Sequence, residues 1–181
     1  EQPRSGGILT VNTSYPDPQD IDLVSDHTVS TVTIIRPAYS GLLQYDPLQQ
    51  GKIIPELAER WDVSPDGKVY TFYLKKGVRW HDGKPFSSAD VKFTLERMGD
   101  PNDPEKIRIL VAKRESMSGI VNVDTPDADT AKVTLQLRRG SFIPWIAWGP
   151  MVMGPKHVPI ANLANTPVGT GAFKFKSYSP G

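Results

Sequence analysis

The stretch Trp61-Asp62-Val63-Ser64-Pro65-Asp66-Gly67-Lys68-Val69-Tyr70-Thr71-Phe72-Tyr73-Leu74 decides the local architecture. Two runs of β-branched and aromatic residues flank Ser64-Pro65-Asp66-Gly67. Proline presets φ in such a turn and glycine accepts a positive φ, so the stretch predicts a hairpin. Moving outward, His81-Asp82-Gly83-Lys84-Pro85 is a second turn signal that ends a predicted strand, Val78–Trp80. Ser87 opens a helix with Asp90 three residues on, the Asp form of a capping box. Phe86 and Val91 hold the staple positions, Val91, Leu95 and Met98 form an apolar stripe, and Gly99 stops the helix. Ile120–Asp124 and Lys132–Leu137 predict another hairpin, with Val133, Leu135 and Leu137 inward and Thr134 and Gln136 outward. Short strands with few helices give an α+β reading.

The flanks carry less decisive signals. Gly7–Asn12 is a short β run, and Ala172–Tyr178 alternates imperfectly as a final strand. Strand Ile8–Val11 and this last strand are expected in one sheet. Between them, Ser25 or Asp26 can cap a helix, but the residues that follow point both ways. Val29, Thr31, Val32, Thr33, Ile34 and Ile35 favour a strand. Val32, Ile35, Tyr39 and Leu42 fall at helical spacing, with Pro37 a break or kink. A short apolar helix is expected near Phe142–Trp148.

Composition narrows the class. The chain has 181 residues, 21 Lys plus Arg against 20 Asp plus Glu, and 38% hydrophobic residues. Near-balanced charge and ordinary apolar content exclude wholesale disorder. With no cysteine, disulfide scaffolds, thiolate zinc sites and cysteine nucleophiles are excluded too. Its 17 prolines are nearly twice the usual share of about 5% and imply many turns. The longest uncharged stretch, Gly140–Pro155, falls short of the roughly 20 residues of a spanning helix. Glu1-Gln2-Pro3-Arg4 opens no secretory signal, so the chain is either cytosolic or has lost a signal before this numbering. Tyr178-Ser179-Pro180-Gly181 reads as a cut in a longer protein. No acid follows Thr130, yet Lys132, Arg138, Arg139, Lys156, Lys174 and Lys176 are scattered, which does not suit nucleic acid.

Catalytic motifs are missing. There is no nucleophile elbow, Walker loop, dinucleotide fingerprint or zincin motif. Gly169-Thr170-Gly171 precedes a strand and reads as a tight turn. His27, His81 and His157 are dispersed; His81 and Asp82, adjacent in a turn, should point apart. Asp17, Asp20, Asp22 and Asp26 lack calcium-loop spacing. Trp145 and Trp148 are either rigid binding surfaces or core residues. No cofactor or metal is implied.

Several segments resemble the family-5 extracytoplasmic solute-binding proteins of ABC importers, the oligopeptide, dipeptide and nickel type. They are Gly6-Gly7-Ile8-Leu9-Thr10-Val11 with Asp17-Pro18, and Ile54-Pro55-Glu56-Leu57-Ala58-Glu59-Arg60-Trp61. The likeness continues through Ser64–Lys68, Tyr70-Thr71-Phe72 and Leu74–Phe86, then Ser88-Ala89-Asp90-Val91 and Pro167–Phe175. Residues Gly99–Ser118 match least, and Pro37 interrupts the family's long first helix. The resemblance implies the first lobe, truncated, of a two-lobe periplasmic-binding-protein-like fold of type II, cluster C. Residues 1–43 plus 167–181 would contribute to the main first-lobe sheet, and 44–166 would be an inserted, mostly antiparallel subdomain.

The implied mechanism is a clamp closing on a peptide or similar small solute for delivery to a membrane permease. Its partners would be the solute, the ABC permease and a missing C-terminal lobe of the same protein. Its place would be the periplasm or the outer face of the cytoplasmic membrane. First-lobe contacts would come from Asp22, Leu23, Val24, Ser25 and Asp26, from about Ile107–Leu110 (Ile107 and Leu110), and from Trp148. The alternatives are an extracytoplasmic sensing or interaction domain and, last, a hydrolase using His81 and Asp82.

Overall fold

A computed structural model describes residues 21–22, 28–99 and 119–179. The predicted strand Ile8–Val11 lies outside them.

The helix-or-strand question at the start resolves as a helix, α1 (Val29–Ile35). Thr28 caps it, its Oγ1 accepting from the Thr31 N–H, rather than Ser25 or Asp26. Pro37 then sits at the start of a 3-10 turn, Arg36–Ala38. There its missing N–H is no loss, since the first N–H groups of a helix have no internal partner. β1 (Leu43–Tyr45) and β2 (Ile53–Pro55), which local pattern does not reveal, form a two-stranded antiparallel ribbon.

The central layer is a four-stranded antiparallel sheet in the order β3-β4-β6-β5. It comprises β3 (Ala58–Val63), β4 (Val69–Leu74), β5 (Ile120–Asp127) and β6 (Thr130–Leu135). The first predicted hairpin is present, with Ser64 N–H bonded to Val69 O at 2.9 Å and Gly67 at φ +70°. Tyr70, Phe72 and Leu74 alternate into the core, as do Ala131, Val133 and Leu135 on the neighbouring strand. The second strand of the other hairpin ends at Leu135, so Leu137 is 71% exposed and not inward. Residues Val78–Trp80 form no strand; a single bridge joins Arg79 to Pro85.

Helix α2 (Ser88–Gly99) packs on β5 and β6, and its first turn is tied to their connection by Ser88 N–H to Ala128 O at 2.8 Å. Val91, Leu95 and Met98 are fully buried, as the stripe predicted. Two short helices follow, α3 (Phe142–Ile146) and α4 (Ile160–Leu163). The ring of Phe142 lies 4.6 Å from that of Tyr70 across the core.

The expected final strand is absent: residues 172–178 run without strand structure. Gly171 and Phe173 donate their N–H groups to Ala38 O and Pro37 O at 3.0 and 3.2 Å. Those acceptors belong to a helical turn, which offers no ladder to extend.

Candidate solute-facing region

Helix α2 carries a second, polar face beside its apolar stripe. Asp90, Thr94 and Arg97 follow one another at helical spacing and are all buried, at 4%, 0% and 3% exposure. Each fastens a different piece of chain. Asp90 Oδ1 accepts from the Lys156 N–H at 2.9 Å, and its Oδ2 from the Ser87 N–H at 2.9 Å and the Trp80 indole at 3.4 Å. Thr94 Oγ1 donates to Asp90 O at 2.8 Å and accepts from the Gly154 N–H at 2.9 Å. Arg97 Nη2 donates to Asp22 Oδ2, closing a fully buried ion pair. The capping box is therefore half formed: Asp90 reaches back to Ser87, while the Ser87 hydroxyl is itself 3.4 Å from the Asp90 carboxylate.

A second polar knot lies at Arg36. Its Nε donates to Gly149 O at 2.7 Å, its Nη1 to Tyr39 O, and its Nη2 to Glu56 Oε2 at 2.9 Å. The same Glu56 oxygen accepts from the Gly41 N–H at 2.7 Å. The resulting path places buried Met151–Met153 beside Ser40, with Met153 N–H bonded to Ser40 O at 2.9 Å.

Gly169 and Gly171 press against the Arg36–Ala38 turn. A Cβ at Gly169 would stand 1.8 Å from Ala38 O, and one at Gly171 would stand 2.5 Å from Pro37 O. Only glycine lets the two backbones approach so closely. His81 holds this loop from the other side: its N–H bonds to Gly169 O at 2.9 Å, and its Nε2 lies 2.9 Å from Gly171 O. Gly169 N–H points at His81 Nδ1 across 3.4 Å, so the network assigns the proton to Nε2. The neighbouring Asp82 turns to His157 Nε2 at 2.6 Å. Burial pushes the Asp82 carboxyl up, but hydrogen bonds from His157 and the Lys84 N–H, with the charges of both residues, hold it below the ordinary carboxylate value. His81 and Asp82 thus serve two separate contacts, as adjacent turn residues should.

Of the expected solute contacts, Asp22 and Trp148 are described; Leu23, Val24, Ser25, Asp26, Ile107 and Leu110 lie outside the described residues. Asp22 is 2% exposed and paired with Arg97. Trp148 is half-buried, its ring edge-on to Trp145 at 4.9 Å and 86°. With Tyr45, Ser141 and Pro144 the two indoles line a recess of about 190 Å³. Asp22 and Trp148 are not joined by any of these contacts. Arg36, Glu56, Thr94 and Arg97 are not singled out by sequence reasoning. The polar 90-94-97 spacing is the one available signal, and the adjoining apolar stripe masks it. Among the described residues no three His, Asp or Glu gather as metal ligands, and no helix is long and apolar enough to cross a membrane.

The family model described as bacterial extracellular solute-binding proteins, family 5 Middle, matches residues 52–181. The chain belongs to this family.

Within family 5, it is 30% identical over 162 residues to the dipeptide-binding protein of Escherichia coli, covering 78% of this chain and 30% of that one. Among solved structures it resembles the PBP AgaA from A. tumefaciens R10 in complex with agropinic acid. That match has 36% identity and a TM-score of 0.76, covering 91% of this chain and 32% of the other. It also resembles a dipeptide-binding protein from Pseudoalteromonas sp. SM9913 in complex with Met-Leu. The TM-score is 0.81 at 27% identity, with 90% of this chain and 36% of that one covered. The chain therefore spans about a third or less of these relatives. The α+β architecture is part of their two-lobe binding-protein fold.

Proposed function

We propose that this chain is the first-lobe portion of an extracytoplasmic binding protein that captures peptides or similar small solutes for an ABC permease. The match to the family-5 model over residues 52–181 carries the reading. On this view residues 1–43 and 167–181 belong to the main lobe and 44–166 to an inserted layer. The solute is met by segment 22–26, by Ile107 and Leu110, and by the indole of Trp148. The engaged side chains of His81 and Asp82 suit a binding role without a chemical step. The protein works in the periplasm or at the outer face of the cytoplasmic membrane, with a second lobe outside these 181 residues closing the clamp.

Calorimetry on the full-length gene product with di- and tripeptides tests this. Saturable one-to-one binding is expected, while the isolated 181-residue chain should bind no better than about millimolar. A closed site buries about 70–90% of a ligand, and association itself costs about 4–15 kcal/mol, so half the contacts give little net affinity. Absence of any small-solute binding by the full-length protein would refute the proposal.

A further inference from the structure

We infer that the recess between Tyr45, Trp145 and Trp148 is a binding site for a compact quaternary ammonium group. The inference goes beyond the proposed function, which gives Trp148 a contact but no ligand chemistry, and it concerns the recess itself.

Shape is the first observation. The indoles of Trp145 and Trp148 stand at 86° with ring centroids 4.9 Å apart, so they form two perpendicular walls. A flat ring can stack on one such wall, whereas a rounded group touches both. Tyr45 lines a further side from β1, its hydroxyl donating to Pro144 O at 3.5 Å. The space of about 190 Å³ is below the roughly 300–1,000 Å³ of sites for larger ligands, so it suits a head group.

The walls are also braced. Trp145 N–H bonds to Ser141 O at 2.9 Å, Trp148 N–H to Trp145 O at 3.0 Å, and Met151 N–H to Trp148 O at 2.7 Å. Arg36 holds the next carbonyl, Gly149 O, at 2.7 Å. Walls fixed in this way need little ordering when a ligand arrives.

Electrostatics selects the guest. Aromatic faces carry negative potential, tryptophan most strongly, and attract a cation within about 6 Å of the ring. The lining residues, which also include Ser141 and Pro144, bring no charged side chain. Nearby cations are engaged elsewhere: the Arg138 stem lies against Gly67, the Arg139 guanidinium beside Gly119, and Arg36 is paired with Glu56. A primary ammonium is strongly hydrated and would lose that water with no carboxylate in return. A quaternary ammonium holds water weakly and keeps its charge for the rings.

The test titrates the full-length protein with choline chloride at constant ionic strength, following heat and indole fluorescence. The matched control is choline's neutral carbon isostere, in which a tert-butyl group replaces the trimethylammonium. Choline should bind saturably and about fivefold or more tightly than the isostere, and ethanolamine should bind less well than choline. Trp148→Leu should abolish the preference for choline over the isostere, while Trp148→Phe should hold it within about threefold of wild type. If Trp148→Leu does not fold, Tyr45→Leu, at an exposed residue, replaces it and should lower the preference in the same direction. Co-sedimentation with phosphatidylcholine vesicles, reversed by free choline, would make a lipid head group the source. Choline binding without co-sedimentation would make it a free solute; both agree with the inference. It is overturned if the isostere binds as tightly as choline, if choline never saturates, or if Trp148→Leu keeps the full preference. Choline binding by a protein that takes up no peptide refutes the proposed function and leaves this inference standing.

Discussion

The four-stranded layer and the region around the Arg36–Ala38 turn are both well buried, but different bonds hold them. In the layer, antiparallel ladders join two hairpins of strands close in sequence through the longer-range β4–β6 pairing, and inward side chains such as Phe72 and Val133 alternate strictly. Around the turn, segments from residues 36–42, 56, 149–153 and 169–173 meet with few ladders. They are pinned by side chains that bond backbone, Arg36 to Gly149 and Tyr39, Glu56 to Gly41, His81 to Gly171. The layer is a ladder-built, apolar solution; the turn is a pinned, polar one. Removing a layer residue should cost packing everywhere in the sheet, whereas removing a pin should release one segment.

Phe72→Ala is the strongest probe of the first half of that contrast. It should destabilise by about 3–5 kcal/mol in urea titration as one cooperative transition, because a fully buried aromatic leaves a cavity. Asp90→Ala comes next, at about 3 kcal/mol, since it strands the Ser87 and Lys156 N–H groups and each lost partner costs about 1–3 kcal/mol. Gly169→Ala should cost about 1–3 kcal/mol, the range of overpacking, and should act on the turn alone. Exchange would rise at Gly171 while Phe72 stays protected; equal loss at both sites would show one cooperative unit and break the comparison. Ser87→Ala should cost only about 0.5 kcal/mol, the low end for a cap, because Asp90 carries the cap contact. A loss as large as that of Asp90→Ala would reverse those roles.

The smallest expected effect concerns pH. Asp82 titrates below the ordinary carboxylate value in the folded state. Between its folded and unfolded values the unfolded chain therefore binds more protons, and stability rises with pH there. The contribution should be complete above about pH 4, the ordinary Asp value, and vanish as pH falls through the depressed one. Urea midpoints of wild type and Asp82→Asn should accordingly converge on acidification. A constant difference down to pH 2–3, on the order of the lowest folded carboxylate values, would place the His157 contact outside the pH response.

The two regions also differ in how much of each is legible in the sequence. The 64–67 turn, the alternation in β4 and β6 and the 91-95-98 stripe are interactions between near neighbours, so residue order alone implies them. Leu137 misleads because alternation continues in sequence past the point where the partner strand ends. Residues 172–178 mislead for a related reason: their strand-like pattern needs a ladder, and Ala38 and Pro37 offer two carbonyls instead. At Val29–Ile35 propensity and spacing conflict, and only the Thr28 cap and the packing of Ile35 select the helix.

For the site the balance shifts further. The sequence by itself determined the family, through the run from Ile54 to Val91, and with it the class of ligand proposed. It also determined the central hairpins and the capped helix, since turn chemistry, alternation and capping act over a few residues. The tertiary structure alone decided that Asp22 pairs with Arg97, that Arg36 and Glu56 tie together residues 36–41, 56 and 149, and that Gly169 must lack a side chain. Each of those depends on which remote groups meet in a space too dry to leave a charge or a carbonyl unpaired and too tight to admit a Cβ. Residue order does not encode such a meeting locally.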